Sequence, residues 1–171
     1  FAWRETVNFY INAGQGFETP TFAELAYRPD GSAGLNFALR PSVSRNLEAG
    51  IKAYTGPATR VNAALFRIRA KDEIVAGPAP APGRLAFMNA PRTARDGIEL
   101  SIDSHLGHDV QGYLACTYLD ARFEDYVNFS GVSLSGKPIP GVPRTQLYGE
   151  LLWRKIPGML PVLEARRLSA I

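Results

Sequence analysis

The chain has 171 residues, enough for one ordinary domain or a piece of a larger one. Glycine and proline together supply 29 of them, well above the usual share of about 12%, while the apolar content is a normal 46%; disorder is excluded and strands joined by turns are favoured. Nineteen Lys and Arg stand against sixteen Asp and Glu, and apart from adjacent pairs such as Arg166-Arg167 the basic residues are scattered singly, which argues against a nucleic-acid partner. No apolar run reaches the roughly 18 residues of a membrane helix, and the lone Cys116 excludes an intrachain disulfide or a cysteine zinc site.

Alternation with period two recurs along the chain and predicts strands. Val7, Phe9, Ile11 and Ala13 alternate with polar or small residues over about 5–14. Over 43–55 the apolar series is Leu47, Ala49, Ile51 and Ala53, facing away from Glu48 and Lys52. In 59–75, Ala64, Phe66, Ile68 and Ala70 share one face, and Arg67, Arg69 and Lys71 the other. Further strands are expected over about 84–106, 109–123, 144–156 and 160–171, seven in all. Tight turns at Gly56-Pro57, Gly107-His108 and Pro157-Gly158 alternate with long loops at about 15–42, 76–83 and 124–144. That rhythm predicts an all-β, antiparallel up-and-down meander with one plain rim and one elaborated rim.

Two architectures share this pattern. In a soluble sandwich the apolar faces meet each other, whereas in a membrane barrel they meet lipid. Strands of ten or more residues suit a bilayer, and Trp3 and Trp153 fall with the apolar parity at the short-turn rim, where indoles favour the membrane interface. Tyr54, at the same rim, has the wrong parity. Periodicity by itself leaves both architectures open.

Motifs narrow the choice. Gly14-Gln15-Gly16-Phe17-Glu18-Thr19-Pro20-Thr21, and Leu39-Arg40-Pro41-Ser42 running into Ser44-Arg45-Asn46-Leu47-Glu48-Ala49-Gly50-Ile51-Lys52, resemble TonB-dependent outer-membrane receptors. The second block is similar to the family's "L-x-P-E-x-S-x-x-x-E-x-G-x-K" signature, with Ser42 where Glu is commoner. Asn89-Ala90 followed by Arg95-Asp96-Gly97-Ile98-Glu99 is similar to "N-x-G-x-x-R-x-G-x-E"; Tyr118-Leu119-Asp120-Ala121 and Ile139-Pro140-Gly141-Val142-Pro143-Arg144 follow in family order. The resemblance implies part of a 22-stranded barrel in the bacterial outer membrane, importing a ferric siderophore or a similar scarce nutrient. It also implies outer-membrane lipid, a plug domain and the TonB complex as partners. The plug, the TonB box and the final strands are expected to lie outside 1–171, and Ile171 is not the terminal aromatic residue of such barrels. Seven strands cannot close a ring, because the smallest natural barrels use eight, so an open sheet is expected.

Candidate ligand contacts are the loop aromatics Phe17, Phe22, Tyr27, Tyr126 and Phe129, which can stack on a chelator, with Arg28 and Arg122 to meet its negative charge. Glu48, Lys52, Arg67, Arg69, Glu99, Asp103, Glu150 and Arg154 are expected on the inner wall, leaving the lipid parity free of charge. His105 and His108 lack an evident third ligand, so no metal site, resident cofactor or catalytic residue is expected. A soluble β-sandwich binding module is the alternative, and an enzyme is the weakest class.

Overall fold

The computed structural model describes every residue except Phe1, Glu5, Pro78, Pro80 and Ile171, and only the backbone of 2–4. One antiparallel sheet contains β1 (Ala2–Arg4), β2 (Val7–Glu18), β3 (Ser42–Thr55), β4 (Thr59–Ala76), β5 (Phe87–Gly107), β6 (Val110–Asp125), β7 (Thr145–Trp153) and β8 (Val162–Leu168). Each strand pairs with its sequence neighbours in unbroken order, so the expected meander is present as seven long strands and one three-residue strand. The sheet has no second layer among the described residues. The sandwich alternative therefore fails on the observation that defines it.

Local chemistry explains the rims. His108 and Asp109, at the centre of the β5–β6 turn, both have positive φ (53° and 62°), the two-residue hairpin geometry that matches strand twist. On the sheet itself, Phe66 lies across Gly97, its directly paired neighbour, and Tyr10 lies across Gly50. Each ring fills the space a missing side chain leaves, a known way to stabilise a strand glycine.

Register defines two faces. The leucine face carries Val7, Phe9 and Ile11 of β2; Leu47, Ala49 and Ile51 of β3; Val61, Ala63 and Leu65 of β4; Ile98, Leu100 and Ile102 of β5; Leu114 of β6; and Leu147 and Leu151 of β7. Its large side chains are uncovered: Ile11 is 78% exposed, Leu65 60% and Leu47 53%. The opposite face carries Glu48, Lys52, Glu99, Asp103 and Glu150 as expected.

Arg67 and Arg69 are a correction. Arg67 pairs directly with Leu47 and Arg69 with Arg45, so both lie on the leucine face, and Phe66 and Ile68 turn the other way. The physical reason is length. At about 3.3 Å per residue, the 18 residues of β4 extend some 60 Å, far beyond the thickness of a bilayer. Its outward positions therefore change from apolar to charged partway along the strand.

Candidate functional site

The long-loop end is held together by side-chain bonds to backbone. Asn89 on β5 accepts from the Arg40 N–H (2.8 Å) and donates to the carbonyls of Arg40 (2.9 Å) and Asp72 (2.7 Å). Arg40 also pairs with the Asp72 carboxylate at 2.6 Å, and Asn36 donates to the Phe87 carbonyl at 3.1 Å. Asp72 has φ 57° in mid-strand opposite Pro91, a left-handed conformation that this clamp helps to hold. Next to Asp72, Glu73 binds Thr93 and Arg95 (Nη1 to Oε2, 2.9 Å), so the adjacent carboxylates Asp72 and Glu73 serve different partners. Replacing Asn89 with Ala removes three hydrogen bonds and is expected to cost about 1–2 kcal/mol locally. Amide exchange in 19–41 should then accelerate while the β2–β3 ladder stays protected; unaltered loop exchange would refute the clamp.

Two cavities open beside it. The first, about 530 Å³, is lined by Arg28, Asp30, Asn36, Phe37, Met88 and Phe129, among others. The Arg28 guanidinium donates to the Leu35 carbonyl (3.0 Å) and the Ser32 hydroxyl (3.4 Å), fixing its own loop. Ser32 donates through its N–H and hydroxyl to Asp30 and holds that carboxyl below the usual carboxylate range. The second cavity, also about 530 Å³, lies between the end of β4 and the 126–144 loop, with Glu73, Val75, Phe123, Tyr126, Phe129 and Ile139 on its walls. Tyr126 is 4% exposed and packs on Phe123 with ring centroids 4.7 Å apart; burial pushes its phenol up.

Of the sequence-predicted contacts, Arg28 and Phe129 therefore meet in the first cavity, and Tyr126 and Phe129 in the second. Tyr27 lies under the Arg84 guanidinium, 5.2 Å from its ring centroid. Phe22 is 77% exposed on the first loop, whose turn is closed by Thr21 and Glu24 in a reciprocal capping arrangement. Phe17 is in β2, not in a loop, because that strand runs to Glu18; it pairs with Val43 on the leucine face. Arg122 is on the same face, paired with Asp120 at 3.3 Å, away from both cavities. Trp153 sits on the leucine face at the short-turn rim, opposite Val110, and the side chain of Trp3 lies outside the described residues. His105 and His108 find no convergent third ligand among the described residues.

The leucine face also has a boundary that single-strand reading misses. Moving from the short-turn end, the first charged residues are Arg45 on β3, Arg67 on β4, Asp96 on β5, Asp120 on β6 and Arg167 on β8. Arg67, Asp96 and Asp120 lie in one cross-strand row, Arg45 one row above it and Arg167 two rows below. Three rows are about 20 Å along the strands, and five strand spacings about 24 Å across them, so the boundary crosses the rows at about 40°. A tilt of 35–45° is what membrane-barrel strands adopt relative to the bilayer normal. Strands tilted by that amount would bring such a boundary parallel to a bilayer surface. Tyr118 marks its apolar side, an interfacial residue that alternation alone did not single out.

The profile of the TonB dependent receptor-like β-barrel family matches residues 1–159. The chain belongs to that family. Its members are outer-membrane proteins of a transporter and receptor class. Solved TonB-dependent receptors share the fold at low identity. The siderophore receptor PirA from Pseudomonas aeruginosa superposes with a TM-score of 0.68 at 17% identity, over 98% of this chain and 29% of that one. The alcaligin outer-membrane receptor FauA from Bordetella pertussis gives 0.59 at 22%, over 99% and 28%. The copper transporter OprC gives 0.64 at 16%, over 88% and 22%. This chain thus spans about a quarter of the length of these receptors. In a barrel of this family the leucine face is turned to lipid and the opposite face to the lumen.

Proposed function

We propose that this chain is a wall segment of an energy-coupled outer-membrane receptor that imports a ferric siderophore, or another scarce nutrient, into the periplasm. The observation that carries the reading is the uncovered leucine face with its slanting charge boundary. A water-soluble module would have to cover those side chains, whereas a barrel leaves them to hydrocarbon. Trp153 at the short-turn rim and Tyr118 below the charge line then mark the two interfaces, about 26 Å apart along β6 and roughly 20 Å in height at that tilt.

The partners follow from the lumen face. Tyr10 donates to Glu48 at 2.6 Å, and Lys52 lies 5.1 Å from the Tyr10 ring centroid. Among the described residues neither Glu48 nor Glu99 has an ion-pair partner within the sheet. Carboxylates in that position suit cations of the receptor's own plug domain. Energy would enter through the TonB complex acting on a box ahead of that plug, and the remaining strands would close the ring.

The cargo would enter over the long loops, with Phe129 as the side chain common to both cavities and Arg28 supplying positive charge. The test is uptake of radiolabelled ferric siderophores by cells carrying the full-length receptor, with and without TonB, with copper as a second cargo arm. TonB-dependent accumulation of iron is the expected result. Phe129→Ala should raise the half-saturating concentration about 2–10-fold, the worth of one aromatic contact, without lowering the maximal rate. Uptake that persists without TonB, or a half-saturation unmoved by Phe129→Ala, would refute the corresponding assignment.

A further inference from the structure

The second cavity has a floor whose charges are already matched. Along β5, Thr93 and Arg95 share the parity of Glu99 and so belong to the lumen face, with Phe123 and Ala121 of β6 opposite them. Glu73 reaches back to this face from β4. Its Oε1 accepts from Arg95 Nη2 at 2.5 Å, and its Oε2 accepts from Arg95 Nη1 at 2.9 Å and from the Thr93 hydroxyl. A carboxylate held by both arms of one guanidinium is a closed, neutral unit. Thr93 is fully buried and the Glu73 and Arg95 side chains are 19% and 23% exposed, so the pair is set into the wall. One polar group is left over. Tyr126 is buried against Phe123, and its hydroxyl has no hydrogen-bond partner among the described residues. Among those residues no unpaired side-chain oxygen is sealed away, so this hydroxyl opens onto the cavity it lines. A phenol donor in apolar surroundings needs an acceptor.

The two cavities share Phe129 as a wall, and in the first of them the charge of Arg28 is offset by that of Asp30. An occupant therefore meets aromatic and aliphatic walls, one phenolic donor and no surplus charge. Pockets of this kind orient a ligand through a few polar groups and disfavour an unpaired charge, because taking it out of water is costly. Ferric chelates divide on this point. Three hydroxamates, each a monoanion, neutralise iron(III), and their carbonyl oxygens still accept hydrogen bonds. Three catecholates, each a dianion, leave the complex with three negative charges. We propose that the Tyr126 pocket selects an uncharged tris-hydroxamate type of ferric chelate over an anionic tris-catecholate. The Tyr126 hydroxyl donates to an oxygen of the chelate, and the closed Glu73–Arg95 pair keeps the wall neutral. The inference rests on the reading that a ferric siderophore enters over the long loops, and it names the charge class of that cargo.

The test titrates the purified full-length receptor calorimetrically with two ferric probes, a linear tris-hydroxamate and a tris-catecholate. The wild-type receptor should bind the tris-hydroxamate about ten-fold more tightly. Tyr126→Phe keeps the ring on Phe123 and removes only the hydroxyl, so it should weaken tris-hydroxamate binding about 2–10-fold, the worth of one hydrogen bond. Glu73→Gln leaves Arg95 with an unmatched positive charge and should tighten tris-catecholate binding about ten-fold. Heat-modifiable gel mobility reports barrel folding; if Glu73→Gln does not fold, the wild-type preference and Tyr126→Phe decide the matter without it. Equal or tighter wild-type binding of the tris-catecholate, an unmoved tris-hydroxamate affinity in Tyr126→Phe, or an unmoved tris-catecholate affinity in folded Glu73→Gln would overturn the inference and leave siderophore import standing. Binding of neither probe would overturn it too, and TonB-dependent accumulation of iron then shows whether the cargo reading falls with it.

Discussion

Leu100→Arg should destabilise the full-length barrel by about 2–4 kcal/mol in phospholipid vesicles, while Ser101→Arg, one residue further along, should cost about 1 kcal/mol or less. Leu100 lies between Ala63 and Cys116 on the leucine face, two residues below Ile98 and therefore inside the apolar band. A guanidinium there must be buried in hydrocarbon or drag water and headgroups toward itself. Ser101 lies between Asn62 and Ala115 on the lumen face and already accepts from Asn62 at 3.0 Å, so an arginine there keeps its hydration. Equilibrium urea unfolding of the two variants reads the difference directly. Equal costs at the two positions would contradict a lipid-facing leucine surface, whatever the receptor transports.

The second large effect concerns Gly97. A Cβ at this position would lie 2.2 Å from Phe66 Cζ and 2.8 Å from the backbone oxygen of Tyr118. Gly97→Val therefore drives a branched side chain into a ring and into an adjoining strand at once. A destabilisation of about 3 kcal/mol is expected, at the upper end of overpacking costs, together with loss of assembled receptor from the outer membrane. Adding Phe66→Ala should recover only part of it, because the ring can be removed but the Tyr118 carbonyl is fixed by the β5–β6 ladder. Full recovery in the double variant would show that the ring alone demands glycine. The glycine of the R-x-G-x-E stretch is thus explained by close approach. Its φ is ordinary.

Strand existence and hairpin order were legible because alternation and turn chemistry are local. The Leu47, Ile51, Ile98 and Leu100 series needs no partner to be read, and Gly107-His108-Asp109 announces its turn by itself. The face of β4 was not legible. Ala63 and Leu65 on one side, and Ala64 and Phe66 on the other, are equally apolar, so only the pairing of Leu47 with Arg67 shows which side leaves the hydrocarbon. The candidate site was legible in part for a similar reason. Arg28 and Phe129 are distant in sequence and meet only because both long loops fold back at one rim. Phe17 looks like a loop residue until β2 proves long enough to carry it onto the outward face, and Arg122, inside the strand expected over 109–123, shows its face only through its pairing with Ala94. Asn89 stood within a recognisable stretch, but its role depends on three backbone atoms supplied by two other segments.

The sequence by itself determined an all-β meander, its short and long rims, its family resemblance and the apolar parity of most strands. These depend on side-chain period and on turns of a few residues, which physical chemistry enforces within each segment. Only the tertiary structure decided which charges share a face with the leucines and where along each strand that face turns from apolar to charged. Register caused the difference: a one-residue slip in pairing sends every side chain to the other side, and no single strand records its neighbour's alignment.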